Sequence, residues 1–177
     1  MNYSELSIVK YNELLGEKKS TPGGGSALAI TLSLACSLCK MVINFTIDKK
    51  GYEHLNEKMM KMSKQIDLYL NNAYKYAELD SVTFSNLMEA YKNKNHEEIE
   101  KCSVEASMIP FNLYLLTERV QTIADELFLI GNKNVVSDAK IASDLCYSIY
   151  PGCKLNILAN IKSIHDETVL NTLKSII

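Results

Sequence analysis

The stretch KKSTPGGGSALAITLSLACSLCKMVINFT, which covers residues 18–46, decides how this chain is organised. Three of the seven glycines in the sequence stand together at Gly23–Gly25, and about twenty residues with one charge, Lys40, follow them. An apolar run of this length is long enough to cross a membrane. The run also contains several hydroxyl groups and Asn44, and no second run of this kind follows. We therefore expect the central helix of a soluble bundle rather than a membrane span.

The glycine run itself has two interpretations. At the start of a helix, Gly23, Gly24, Gly25 and Ser26 present bare backbone N–H groups at the positive end of the helix dipole, which favours an anionic ligand. A nucleotide P-loop is not expected, because no Gly-Lys-Ser/Thr closes the run and no strand precedes it. The alternative is a flexible turn between two helices.

The rest of the chain also reads as helices. No strand-like alternation of any length occurs, and apolar side chains from Met59 to Phe84 recur at helical spacing. We predict an all-α chain, a single-domain antiparallel helical bundle over residues 1–177. Breaks are predicted at 48–51, at 93–96, at Gly131-Asn132 with a left-handed cap, and at Pro151-Gly152, which would separate two final helices.

Composition excludes several classes of function. The net charge of −2 gives no electrostatic case for nucleic acid or for an anionic membrane as a partner. Five cysteines fit no disulfide framework, and the N-terminal residues do not read as a signal peptide, so we expect a cytoplasmic protein. The three histidines are scattered without metal-ligand neighbours, so no metal site is expected.

Two later segments carry polar side chains that suit either a site or a structural role. In GNKNVVSDA, residues 131–139, Asn134, Ser137 and Asp138 are candidate site residues, but a helix cap followed by a helix start accounts for them equally well. In KLNILAN, residues 154–160, Asn156 and Asn160 are four apart and share one helix face. Their amides would bind a ligand or form a polar helix–helix contact.

Taken in order, these pieces resemble the cyclodeaminase/cyclohydrolase family of folate enzymes. The matching pieces are TPGGGSALA, MVINFT, LDSVTF at 79–84, IPF at 109–111, GNKNVVSDAKIAS at 131–143 and GCKLNILANIKSIHD at 152–166. They span nearly the whole chain. The sequence departs from the family after Ala90-Tyr91, where Lys92-Asn93-Lys94 replaces the usual Leu-Pro-Lys. The resemblance implies an all-helical homodimer.

The resemblance also implies one of two reactions, between which the sequence does not choose. A formiminotetrahydrofolate cyclodeaminase closes 5-formimino-tetrahydrofolate to the 5,10-methenyl form and releases ammonia. A methenyltetrahydrofolate cyclohydrolase opens the methenyl ring with water to 10-formyl-tetrahydrofolate. Neither requires a metal or a cofactor beyond the tetrahydrofolate that carries the one-carbon unit.

Both reactions need a group that accepts and returns protons, and a carboxylate suits this role. Asp138 is the first candidate and Asp80 the second, because both lie in segments that resemble the family. The residues expected to bind folate are Gly23, Gly24, Gly25, Ser26, Asn134, Ser137, Asn156 and Asn160. The alternative function is that of a non-catalytic helical dimer that binds folate or serves as a scaffold.

Overall fold

Six α-helices joined by short turns build the chain. The computed structural model describes residues 2–177. The helices are α1 (Ile8–Leu15), α2 (Gly24–Thr46), α3 (Asn56–Asn93), α4 (His96–Ile130), α5 (Val136–Asn160) and α6 (Glu167–Lys174). Residues 2–177 contain no strand, and the predicted all-α class is confirmed.

The apolar helix α2 lies at the centre and packs against α3, α4 and α5. Its small side chains let these neighbours approach closely: Ala29, Ala35, Cys36 and Cys39 are fully buried. By length and composition α2 would be able to cross a membrane, but half of its apolar window is buried inside the protein. This burial is what the sequence analysis expected of a central helix.

Side-chain caps fix where three of the helices begin, and two of them, at α4 and α6, follow turns of the second half of the chain. The Asn95 side chain accepts a hydrogen bond from the Glu98 amide at 3.3 Å and starts α4, two residues after α3 ends. The turn predicted at 93–96 is thereby confirmed. At the start of α6, the Asp166 carboxylate accepts hydrogen bonds from the amides of Thr168 and Val169. Both side chains supply acceptors that the first amides of a helix otherwise lack.

The turn after α4 differs from the prediction in its detail. Helix α4 does end before Gly131, but Gly131 has a φ of −69° and not the left-handed conformation expected. The glycine is needed for another reason, since a Cβ there would lie 2.5 Å from the Leu127 carbonyl oxygen. The next helix begins at Val136, so Ser137 lies inside its first turn rather than at the capping position.

The predicted break at Pro151-Gly152 is wrong, because α5 runs through it to Asn160. A proline inside a helix removes one N–H donor, here the one that would bond to the Tyr147 carbonyl. Both Pro151 and Tyr147 are exposed, so water can solvate that carbonyl. Gly152 faces α2, where an added Cβ would lie 2.7 Å from the Leu28 side chain. This glycine therefore serves a close helix contact and does not end the helix.

Candidate active site

A pocket of about 170 Å³ lies where the start of α2, the middle of α3 and the end of α5 meet. The loop before α2 and one turn of α4 complete its wall. The lining residues are Ser20, Thr21, Gly23, Gly24, Gly25, Asp80, Thr83, Phe84, Ala106, Asn156, Ala159 and Asn160. The glycine run and the two late asparagines are thus brought together with one acid, Asp80.

The Asp80 carboxylate takes the place of a capping side chain at the start of α2. Gly23 occupies the N-cap position and has no side chain to offer. The Ser26 amide, in the first turn of α2, instead donates a 3.0 Å hydrogen bond to Asp80 Oδ2 from α3. The anion predicted for this helix start is therefore supplied by the protein itself.

Gly25 makes this arrangement possible through close approach. A Cβ built on Gly25 would lie 1.9 Å from Asp80 Oδ1, so any side chain would displace the carboxylate. Gly24 faces open space, with nothing within 4 Å of an added Cβ. The positive-φ glycine of the described residues is Gly51, and the glycine run does not adopt that conformation. Within the run, Asp80 therefore requires a glycine at position 25, and no positive φ requires one.

Burial raises the pKa of the Asp80 carboxyl, and the hydrogen bond from the Ser26 amide partly opposes this. Within residues 2–177, Asp80 takes part in no ion pair with Lys, Arg or His. A carboxyl in this setting holds its proton more readily than an ordinary aspartate. Such a group suits proton exchange, because a catalytic pKa works best near the operating pH.

The two late asparagines reach the pocket in different ways. Pro110 has no N–H, so the Ala106 carbonyl loses its helical donor, and Asn160 Nδ2 donates to that carbonyl at 3.2 Å. The contact fixes the Asn160 side chain at the rim of the pocket. Asn156 also lines the pocket, and no hydrogen bond joins its side chain to another of residues 2–177. Its amide can therefore both donate to and accept from a ligand.

Asn134, Ser137 and Asp138 do not line this pocket, although the sequence analysis grouped them with it. Asp138 lies in the first turn of α5 and Asn156 near its end, 18 residues apart. At 1.5 Å per residue this is roughly 27 Å along the helix. In a single subunit, the geometry favours Asp80 over Asp138 as the acid of the pocket.

The segment that contains Asn134 joins the far ends of two helices. Asn132 is buried there, and its side chain donates to the Phe45 carbonyl at 2.6 Å while its amide donates to Thr46 Oγ1 at 3.0 Å. Asn132 Oδ1 also accepts from the Asn134 amide at 3.1 Å. These bonds attach the turn after α4 to the end of α2, and they give the segment a structural role.

Several lining residues were not singled out from the sequence. Thr83 and Phe84 are three and four residues after Asp80, so a carboxylate in the pocket places them on the same helix face. That spacing was a signal available in LDSVTF. Ala106 and Ala159 carried no such signal, because an alanine lines a pocket only through the packing of its helix.

The chain is similar to known proteins along almost its whole length. Residues 7–177 match the formiminotransferase-cyclodeaminase family. A methenyltetrahydrofolate cyclohydrolase from Methylorubrum extorquens is 28% identical over 91% of this chain and 82% of its own length. The formimidoyltransferase-cyclodeaminase of Mus musculus is 23% identical over 92% of this chain, which spans only 32% of that protein.

A solved structure agrees with the fold as well. The crystal structure of formiminotetrahydrofolate cyclodeaminase from Thermotoga maritima superposes with a TM-score of 0.93 at 31% identity, over 98% of this chain and 87% of that one. The shared architecture extends from the N-terminal segment to the last helix. The chain belongs to the formiminotransferase-cyclodeaminase family.

Proposed function

We propose that this chain is a folate one-carbon enzyme that makes or opens the bridge between N5 and N10 of tetrahydrofolate, with Asp80 as its general acid and base. The observation that carries this proposal is the half-buried Asp80 carboxyl, whose pKa is raised by burial, in a pocket with Asn156 and Asn160. The relatives support the same reaction class, since their names are those of a cyclohydrolase and of cyclodeaminases.

In the cyclodeaminase direction, N10 attacks the formimino carbon of 5-formimino-tetrahydrofolate, whose formimino nitrogen is protonated. The Asp80 carboxylate accepts the N10 proton, which leaves a tetrahedral carbon bonded to N5, N10, hydrogen and an amino group. The protonated Asp80 then donates to that amino group, and the carbon–nitrogen bond breaks to release ammonia. The product is the cationic methenyl form, and Asp80 returns to its carboxylate.

In the cyclohydrolase direction, water attacks the methenyl carbon and gives one proton to the Asp80 carboxylate. The protonated Asp80 then donates to N5, and the bond from N5 to the carbon breaks. The hydroxyl proton leaves to solvent as 10-formyl-tetrahydrofolate forms. One carboxyl thus serves both reactions, and a cationic carbon is stabilised by an ionised carboxylate beside it.

The other lining groups suit recognition of the folate. The Asn156 amide can pair with the donor and acceptor groups on the edge of a pterin ring. The Gly24 and Gly25 amides have no acceptor within their own helix, and Gly24 leaves open space in front of them. A polar group of the substrate can therefore bind there beside the Asp80 carboxylate.

We further propose that the enzyme is a homodimer of the cytoplasm. The support is a set of large apolar side chains left exposed on the two helices that flank each other, α2 and α5. They are Leu34 and Phe45 on α2, and Ile141, Tyr147, Leu155 and Leu158 on α5. A second copy would cover side chains that a monomer leaves in water.

The test is an assay of both activities on wild type and the Asp80→Asn variant, with the absorbance of methenyl-tetrahydrofolate as the readout. We expect wild type to turn over at least one of the two substrates, and the variant to lose about 10² to 10⁴ in kcat. Folate binding by the variant, measured by titration, should be largely retained. Binding by wild type without turnover of either substrate would instead support the non-catalytic folate-binding dimer.

A further inference from the structure

Two tyrosines of the N-terminal segment, Tyr3 and Tyr11, pack behind the site. Each has only 7% of its surface exposed, although most of the segment around them is exposed. Their rings meet edge to face with centroids 5.8 Å apart. A buried tyrosine normally finds a hydrogen-bond partner for its hydroxyl, so the partners reveal what each ring is fixed to.

Both hydroxyls bond to serines that adjoin the Asp80 contact. The Tyr11 hydroxyl lies 3.0 Å from Ser26 Oγ, on the residue whose amide holds Asp80. The Tyr3 hydroxyl donates to Ser81 Oγ at 3.0 Å, on the residue that follows Asp80. The two bonds therefore fasten α2 and α3 together on either side of the contact between Ser26 and Asp80.

Tyr3 also lies beside a second cavity. This cavity, of about 330 Å³, is lined by Tyr3, Ser81 and Pro22, and it meets α3 through other residues than the pocket does. Thr21 lines both cavities, so only a thin wall divides them. Tyr11 is buried beside Tyr3 and against Ser26, so removal of either ring would open space behind the residues that hold the carboxyl and admit water there.

We propose that Tyr3 and Tyr11 are positioning residues for Asp80, which hold its carboxyl against the start of α2 and keep water away from its inner side. The inference rests on the proposed function for the role of Asp80 in turnover. It adds the N-terminal segment, residues 3–11, to the machinery of the site.

The groups that face Asp80 carry no charge near pH 7, so the tyrosines act on its pKa by controlling how much water reaches the carboxyl. From α1, the neighbour is Tyr11, whose pKa is raised chiefly by burial. From α5 it is Cys153, whose pKa burial raises to about 12. Helix α2 contributes the Ser26 amide, and α4 contributes Ala106, which does not titrate. Tyr11 and Cys153 are both neutral near pH 7, so neither brings a charge to the carboxyl.

The experiment compares Tyr11→Ala with Tyr11→Phe. The alanine variant opens space beside Ser26 and admits water. The pKa of Asp80 should therefore fall toward the ordinary aspartate value, and the acid limb of the kcat profile should move to lower pH with a kcat loss of about tenfold. The phenylalanine variant keeps the ring and should keep the position of that limb. Val9→Ala, at an exposed position of the same helix, is the control and should change neither.

A second readout separates this inference from the proposed function. The pKa of the Asp80 carboxyl can be followed by infrared difference spectroscopy of each protein against its Asp80→Asn counterpart, without any substrate. A fall in that pKa in Tyr11→Ala with an unchanged rate would refute the catalytic role of Asp80 and leave the positioning role standing. An unmoved pKa would overturn the positioning role whatever the rates.

If Tyr11→Ala does not fold, Tyr3→Ala replaces it in the same measurement, because it opens the second cavity toward Ser81. A fall in the pKa of Asp80 then supports the positioning role, and an unmoved pKa overturns it.

Discussion

At the scale of single residues, one carboxylate explains the glycine at position 25. Asp80 reaches across from α3 to cap α2, and Oδ1 of that carboxylate occupies the space where a side chain of residue 25 would be. Gly24 has open space instead, so the two glycines differ in what they permit. In the sequence the run is a single feature, whereas the structure gives Gly24 and Gly25 different roles.

We predict that Gly25→Ala lowers kcat by roughly a hundredfold, because the new methyl group displaces the acid–base carboxyl. Gly24→Ala is the matched control, since its methyl group meets nothing within 4 Å, and it should retain most of the turnover. Steady-state kinetics on both variants, with melting curves to compare their stability, checks this. Equal losses in the two variants would contradict the assigned role of Gly25.

The raised pKa of Asp80 also predicts how stability depends on pH. Between the ordinary aspartate pKa of about 3.9 and the raised folded value, the folded protein holds a proton that the unfolded chain has lost. Stability from this group therefore falls as pH rises through that window. Asp80→Asn removes the effect and still accepts the Ser26 hydrogen bond.

We accordingly predict that Asp80→Asn is more stable than wild type at pH 7, and that this difference shrinks as pH falls toward 4. Denaturant titrations of both proteins at several pH values measure it. If the variant were less stable than wild type at every pH, burial of the carboxylate would not lower the free energy of unfolding, and the prediction would be wrong.

At the scale of the elements, a missing helical hydrogen bond in α4 is replaced by one from α5, and this bond joins the two helices. Pro110 leaves the Ala106 carbonyl without its helical donor, and Asn160 supplies the missing hydrogen bond. Asn160→Ala should therefore cost about 1–3 kcal/mol of unfolding free energy, since it leaves a buried carbonyl unpaired.

The same substitution should cost less in a Pro110→Ala background, because an amide at position 110 can again bond to that carbonyl. A double-mutant cycle measured by denaturant unfolding gives the coupling, expected at about 0.5–3 kcal/mol. Additive costs would mean that Asn160 does not depend on the proline.

Helix α5 carries two of the predicted groups of site residues at opposite ends. Because Asp138 is roughly 27 Å along the helix from Asn156, we predict that Asp138→Asn leaves kcat within about a factor of three of wild type. Asparagine also keeps the polar character of the first turn. Single-turnover kinetics on this variant checks the expectation, and a large loss of rate would mean that Asp138 reaches a site through another subunit.

The sequence predicted most of the helices, because apolar periodicity and the polar turns depend on neighbours in the chain. It failed at Pro151, where the helix continues because solvent reaches the unpaired carbonyl, and in the left-handed conformation expected of Gly131, where the glycine is needed for close contact with Leu127. Among the candidate acids, it ranked Asp138 before Asp80. The contact that favours Asp80 joins residues 54 apart, and no local pattern specifies which distant residue meets the start of α2.

At the scale of the whole molecule, the described chain buries one large and two smaller apolar clusters yet leaves large apolar side chains in water. On α5, Leu155 is 66% exposed and Tyr147 is 57% exposed; on α2, Phe45 is 56% exposed. Interfaces between identical subunits are more apolar than ordinary surface. These side chains form the surface at which we propose that a second copy of the chain binds.

We predict that Leu155→Glu converts the proposed dimer to a monomer at micromolar concentration, because it would bury an unpaired charge in the interface. Leu68→Glu is the control, since this leucine is similarly exposed, at 58%, but lies on α3. Light scattering coupled to gel filtration gives the mass of each protein. If Leu155→Glu is still a dimer, the interface lies elsewhere. If wild type is a monomer, the proposed dimer does not exist. If the variant is monomeric but keeps its turnover, the Asp80 pocket is complete within one subunit, as its lining residues indicate.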